Sequence, residues 1–190
     1  MEHKQTISTK RIVLTALMAA LTVVGSWMRI TIPVDIGGNT SFHLGNILCA
    51  LSGILLGPWL GGLAAGMGSA IFDIVFYPMY ISECWITFLT KACYGLMAGF
   101  VIRCGRKDWG YIRAILAALA GAVSYAVLYL AKTFFYGGLL LGGLTPDAAW
   151  TAVILKLPAT IFNGAVAVIF APILAIAIRK ALWKQHLRVE

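Results

Sequence analysis

Three lysines, Lys91, Lys132 and Lys156, stand inside long apolar stretches of the chain, where an ionisable side chain needs a partner or a cavity. Lys132 shares a helical face with Tyr125, Tyr129 and Tyr136, at spacings of seven, three and four residues. Lys156 and Asn163, seven apart, share another face, and Pro158 between them is placed to loosen that helix. Asp73 and Tyr77 are four apart, and Glu83 precedes Lys91 by eight residues. Side chains of these types suit recognition: rings stack on a flat heterocycle, while amide, ammonium and carboxylate groups supply hydrogen bonds or charge. Plainer uses stay open beside that one. The acids and lysines can neutralise one another inside a bundle, and lysines near helix ends, Lys132 above all, can snorkel to water. His43 is placed equally well to cap the helix that follows it or to reach a ligand.

Catalysis has little to work with. The chain has no HExxH, no GxSxG and no Walker A lysine, and its carboxylates number seven, which argues against a hydrolase or an ATP-driven pump contained in this chain. A proton- or sodium-coupled secondary transporter stays in view because Asp73 or Glu83 can titrate, although no matched halves or paired broken helices appear. Cys49, Cys84, Cys93 and Cys104 have no CxxC or Cys/His spacing; they read as reduced packing residues, and no metal or cofactor is expected.

The elements that position these groups follow from composition and charge. Apolar residues make up 61% of the chain and charged residues 12%, too apolar for a soluble domain of 190 residues. Of the 15 Lys and Arg, all but Arg29 and the three lysines above fall in three clusters: Lys4, Lys10 and Arg11; Arg103, Arg106, Lys107 and Arg113; Arg179, Lys180, Lys184 and Arg188. Basic clusters that bracket apolar segments mark the cytoplasmic side, so an even number of spans separates each from the next. The net charge of +8 is then topogenic, and no nucleic-acid partner is expected. The spacing predicts an all-α integral membrane protein, a single transmembrane domain over residues 1–190. It has six helices, at about residues 10–30, 44–57, 60–77, 83–103, 110–136 and 147–180, with both termini inside. The first apolar segment ends in Trp27, Met28 and Arg29 with no small-residue cleavage site, so it reads as a span and not as a cleaved signal.

The second and third helices are short and glycine-rich, and Gly57-Pro58-Trp59-Leu60-Gly61-Gly62 has no place facing lipid, which predicts that they pack inside the bundle. Small residues four apart, Gly62 with Gly66 and Ala64 with Gly68, let helix backbones approach. Ala16 and Ala20 have the same spacing on a helix otherwise composed for lipid, where either internal packing or a second protein fits. The external connections are longer than a minimal bundle needs. Residues 31–41, with Pro33, Asp35, Gly37, Gly38 and Asn39, run into His43 and Asn46 as a loop that can act as a lid. Tyr77, Pro78 and Tyr80 lie in the third connection, with Trp85 just beyond, and Trp150 follows the fifth. For Tyr80 and Trp150 an interfacial aromatic belt accounts for the residue equally well.

Phe42-His43-Leu44-Gly45-Asn46, then Leu55-Leu56-Gly57-Pro58, then Gly61-Gly62-Leu63-Ala64-Ala65-Gly66-Met67-Gly68-Ser69 and Asp73 together resemble a signature of energy-coupling factor (ECF) transporter S components. Thr87-Phe88-Leu89-Thr90-Lys91 with Gly95 and Gly99, and Asn163-Gly164, resemble later helices of the same family, near the riboflavin and thiamine-precursor group. The resemblance spans nearly the whole chain. It implies a six-helix membrane subunit in a prokaryotic plasma membrane that binds one vitamin-like molecule from outside and topples to release it. The implied partners are a transmembrane coupling subunit and two cytoplasmic ATPases. The resemblance also places docking on an AxxxA pattern in the first helix, here Ala16 and Ala20, and closure on the first loop, here Asp35, Asn39 and His43. The expected substrate site is Asn46, Asp73, Trp85, Lys91, Tyr125, Tyr129, Lys156 and Asn163, in a pocket formed by the external ends of the last three helices with the first and third loops.

Overall fold

The structure, a computed structural model, describes residues 8–33, 36, 39–104 and 109–184. Helix α1 (Thr9–Trp27) leads into a hairpin of β1 (Arg29–Pro33) and β2 (Asn39–His43), followed by α2 (Gly45–Leu56) and α3 (Pro58–Phe76). A 3-10 turn (Pro78–Glu83) opens α4 (Cys84–Arg103). Then come α5 (Tyr111–Ala131), a π-helical segment (Lys132–Leu141) and α6 (Pro146–Lys184). Thr9–Trp27, Pro58–Phe76, Tyr80–Arg103, Tyr111–Leu141 and Pro146–Ala181 are long and apolar enough to cross a membrane; Gly45–Leu56 is apolar but shorter.

Glycine sets how closely α2, α3 and α4 approach. A Cβ at Gly61 would stand 2.5 Å from the Gly53 Cα, and one at Gly95 would stand 2.8 Å from the Gly61 carbonyl carbon, so backbone lies directly on backbone. Ser52 seals the contact, its hydroxyl donating to the Gly61 carbonyl at 2.9 Å. Gly62 and Gly66 face Ala92, Leu96 and Phe88 of α4, while Gly68 faces Ala19 and Thr22 of α1, so both small-residue pairs are used inside the bundle. The turn between α2 and α3 is the single residue Gly57, at φ 82°, where an L side chain is strained. Pro58 then starts α3 at its first position. Arg103 packs against Gly57 and donates to the Leu56 carbonyl at 3.0 Å, satisfying an end of α2. On the other side of the bundle, buried Ala114, Ala117 and Ala118 of α5 and Ala167, Ala171 and Ala175 of α6 join the same core cluster, small residues again allowing close helix approach.

Three expectations change. The two ends of the 31–41 segment are strands and not loop: Ile30, Thr31 and Ile32 pair antiparallel with Phe42, Ser41 and Thr40, because β-branched residues on both sides favour extended pairing over coil. The first helix accordingly ends at Trp27 and not at residue 30. The fifth helix does not stop near residue 136 but continues to Leu141 with π-type hydrogen bonding, and its wider turns bring Gly138 against Ala149 of α6. Asp35 lies outside the described residues, as do Lys4, Arg106, Lys107 and Arg188.

Candidate functional site

At the hairpin end of the bundle the helices part around a cavity of about 580 Å³, in the range that holds a small organic molecule. Its wall on α6 is Lys156, Ala159, Thr160 and Asn163, one face at i, i+3, i+4 and i+7. The opposite wall is Tyr125 and Tyr129 of α5 with Lys132 and Thr133 beyond. Asp73 and Thr87 come from α3 and α4, Tyr80 and Glu83 from the 3-10 turn, and Arg29, Asn39 and His43 from the hairpin.

Of the eight residues expected to bind substrate, the fold brings Asp73, Tyr125, Tyr129, Lys156 and Asn163 to this cavity, and of the hairpin residues Asn39 and His43. Three do not line it. Trp85 is 53% exposed and meets Tyr136 edge to face on the outside of the bundle, because α4 turns it away from Thr87. Asn46 and Lys91 are 1% and 5% exposed and lie beneath the cavity floor, where the Lys91 ammonium donates to the Asn46 Oδ1. The ammonium also sits 3.9 Å from the centre of the Tyr125 ring, a cation–π contact that supplies part of what hydration would have given. The Asn46 Nδ2 and the Tyr94 hydroxyl have no partner within this buried layer. Tyr94, Tyr125 and Tyr129 stack in sequence, with centroids 5.8 and 5.5 Å apart, from the core up to the cavity wall. Tyr136 leaves the face it was expected to share with them, since i→i+5 bonding from Lys132 onward breaks the 3.6-residue period.

Asn163 has a more particular job than its residue type indicates. Its Oδ1 accepts the His43 backbone N–H at 3.0 Å and its Nδ2 donates to the Ser41 carbonyl at 2.8 Å, so both ends of the amide hold strand β2 against α6. Phe42 reinforces the contact by meeting Phe162 edge to face at 5.1 Å. Strand β1 is held on the other side. The Thr31 and Tyr77 hydroxyls are 3.1 Å apart, and the Arg29 guanidinium lies over the Phe72 and Tyr77 rings at 4.2 and 4.7 Å while its Nε donates to the Ser26 carbonyl. Burial pulls the Arg29 pKa down, with Asp73 opposing. His43 does both things open to it. Its Nδ1 accepts the Gly45 N–H at 3.2 Å at the start of α2, and its ring borders the cavity. Although His43 keeps some exposed surface, protein encloses the ring; that burial, then the charges of Lys91 and Arg29, hold its pKa well below the ordinary histidine value and keep it neutral.

Arg29, Glu83 and Lys132 join the cavity without having been expected as binding residues. Lys132 does not snorkel; it forms an ion pair with Glu83 across the cavity rim. The available signal for Arg29 was its isolation from the basic clusters, but its role depends on a hairpin that hydropathy does not reveal. Tyr80, which an aromatic belt explained equally well, stacks on Tyr77 at 5.9 Å and faces the cavity. Trp150 stays 57% exposed against Phe134, as a belt residue does. Among the described residues no group of three His, Cys, Asp or Glu side chains is placed to hold a metal.

A family model described as the S component of an ECF-type riboflavin transporter matches residues 6–180. The chain belongs to this ECF S-component family. This S component is 30% identical over 119 residues to an uncharacterized protein of Pyrococcus woesei, covering 63% of this chain and 74% of that protein. It is 33% identical over 96 residues to a UPF0397 protein of Streptococcus gordonii, covering 50% of this chain and 48% of that one. Among solved structures it resembles the S-component for biotin from an ECF-type ABC transporter, with a TM-score of 0.63 at 14% identity over 89% of this chain and 94% of that one. At that identity the likeness establishes a shared fold.

Proposed function

We propose that this chain is the substrate-binding subunit of an ECF-type importer in a prokaryotic plasma membrane, and that it captures a water-soluble vitamin or vitamin precursor with a flat ring. The observation that carries the reading is the 580 Å³ cavity at one end of an apolar helix bundle, walled by tyrosines and a few placed polar groups and covered by the hairpin. The chain acts as one transmembrane domain of six membrane-crossing helices, the short α2 being shielded from lipid by its neighbours. Basic residues of the second and third clusters support a cytoplasmic side at the end opposite the cavity: Arg103 binds the end of α2, Arg113 donates to the Val101 carbonyl at 3.2 Å, and Arg179 donates to the Trp109 carbonyl at 2.9 Å.

Ligand enters from outside under the hairpin, stacks against Tyr129 and Tyr125, and meets polar groups of α6. Release follows toppling of the subunit on a transmembrane coupling subunit driven by two cytoplasmic ATPases. Ala16 and Ala20 are both exposed on α1, which suits a docking face for that coupling subunit. Native mass spectrometry of the purified chain, released gently from detergent, tests the reading: a vitamin-like molecule at one per chain is expected. An empty chain that also shows no thermal shift across a vitamin panel overturns it. Uptake into liposomes by this chain alone, driven by a proton or sodium gradient without ATPases, would establish instead a self-sufficient secondary transporter, a reading that family membership does not favour.

A further inference from the structure

The charges around the cavity do not cancel. Arg29, Lys132 and Lys156 line it against Asp73 and Glu83. Glu83 is taken by Lys132. Asp73 lies beside Thr87, and its negative charge attracts Arg29 without forming an ion pair with it. Lys156 is left: its ammonium makes no hydrogen bond or ion pair among the described residues, and the nearby charge of Glu83 is already paired with Lys132. Lys91, beneath the Tyr125 ring, adds positive charge to the same region, and its own polar partner is the neutral Asn46.

Lys156 is ten residues beyond Pro146, the first residue of α6, roughly 15 Å along the axis at 1.5 Å per residue, too far for its side chain to snorkel back to that end. The Lys156 carbonyl accepts the Thr160 hydroxyl at 2.9 Å, and Ala159 and Asn163 flank it on the cavity face, so the wall around it is otherwise small or neutral. An unpaired cation at this depth is costly until an anion arrives. Asn163 does not compete for that anion, since both ends of its amide hold β2.

We infer that the ligand is a ring compound carrying one anionic group, a carboxylate or a phosphate, and that this group binds Lys156. The inference rests on the reading of the cavity as a ligand site and narrows it: an uncharged ring compound such as riboflavin would leave Lys156 unpaired.

The test is binding to the purified full chain in detergent, with probes paired so that ring and size stay close while charge changes: riboflavin with riboflavin 5′-phosphate, nicotinamide with nicotinate, and biotinamide with biotin. In at least one pair the anionic member should bind about tenfold or more tighter. The phosphate and carboxylate pairs distinguish the two sources of charge. Lys156→Met should erase that gap by weakening the anionic member alone, and Lys156→Arg should keep most of it. The unliganded Lys156→Met protein should melt no lower than the wild type, because the substitution removes a half-buried charge that has no ion pair. Neutral members binding as tightly as their anionic counterparts, or Lys156→Met weakening both members alike, would overturn the inference while leaving the vitamin-binding reading standing. No saturable binding by any of the six compounds would overturn the inference, and the ligand-free native mass spectrum described above would separately decide the vitamin-binding reading.

Discussion

The two ends of the bundle are built on opposite rules. Around Gly57 the helices meet backbone to backbone through Gly53, Gly61, Gly95 and Gly99, and no added atom fits. At the hairpin end the same helices carry Asp73, Thr87, Tyr125 and Tyr129, and side chains hold the backbones apart around open space. A narrow waist lets two helices share one residue as their turn; a splayed end makes room for a guest. Close packing near the basic end therefore supplies the rigidity against which the polar end can be left incompletely filled, in line with dispersion contacts being lost wherever a void is kept.

The most damaging way to probe this contrast is to place one methyl at each end. Gly61→Ala puts a carbon 2.5 Å from the Gly53 Cα and 2.5 Å from the Ser52 carbonyl oxygen, neither of which can move freely, and a loss of about 3 kcal/mol or loss of folded protein is expected. Gly137→Ala meets its nearest neighbour atom, the Lys132 carbonyl oxygen, at 3.8 Å, and a change within about 0.5 kcal/mol is expected. Thermal unfolding of both in detergent would contradict the comparison if the two melted alike.

Function should separate the two regions as well. Tryptophan at both Ala16 and Ala20 is expected to abolish uptake in cells carrying the coupling module while leaving ligand affinity of the isolated chain unchanged, because both positions are exposed on α1 and away from the cavity. Normal uptake by that double variant would remove α1 from docking. Asn163→Ala removes two hydrogen bonds that hold β2, each worth about 1 kcal/mol, and should weaken ligand binding about tenfold or more in a chain that stays folded. Faster hydrogen exchange at residues 40–43 should accompany it; unchanged exchange would mean that the hairpin is held elsewhere.

A last effect belongs to pH. His43 is neutral in the fold, with its pKa held below the ordinary value near 6.5, so the unfolded chain binds the proton first as pH falls. Stability is complete above about pH 6.5 and declines below it, by at most about 1.4 kcal/mol per pH unit, until the folded-state pKa is reached. His43→Gln keeps an acceptor for the Gly45 N–H but cannot titrate, and its melting temperature should fall less than that of the wild type between pH 7 and pH 5.

Much of the scaffold was legible in the residues. Gly62, Gly66, Ala64 and Gly68 showed close packing through their four-residue spacing, because a missing side chain has the same consequence wherever the helix goes. Tyr125, Tyr129, Lys156 and Asn163 showed shared faces, because helical periodicity is local. Trp85, Asn46 and Lys91 did not yield to the same reasoning. A helix has more than one buried face, and only its neighbours decide which one borders the cavity and which one the core beneath it.

The hairpin and the π-helical segment mark the same boundary. Ile30-Thr31-Ile32 and Thr40-Ser41-Phe42 carry a strand signal that a long hydropathy pattern conceals, and the π turns after Lys132 shift a periodicity that residue spacing alone assumes constant. Sequence by itself determined an apolar helical membrane protein, its basic clusters, its glycine seams and its family, all properties of composition or of neighbours along one helix. Only the tertiary structure decided that Lys132 pairs with Glu83, that Lys91 lies under Tyr125, that Asn163 binds a strand and that Lys156 is left without a partner. Such pairings join residues up to 122 positions apart, and electrostatic or hydrogen-bond satisfaction is settled by distance in space.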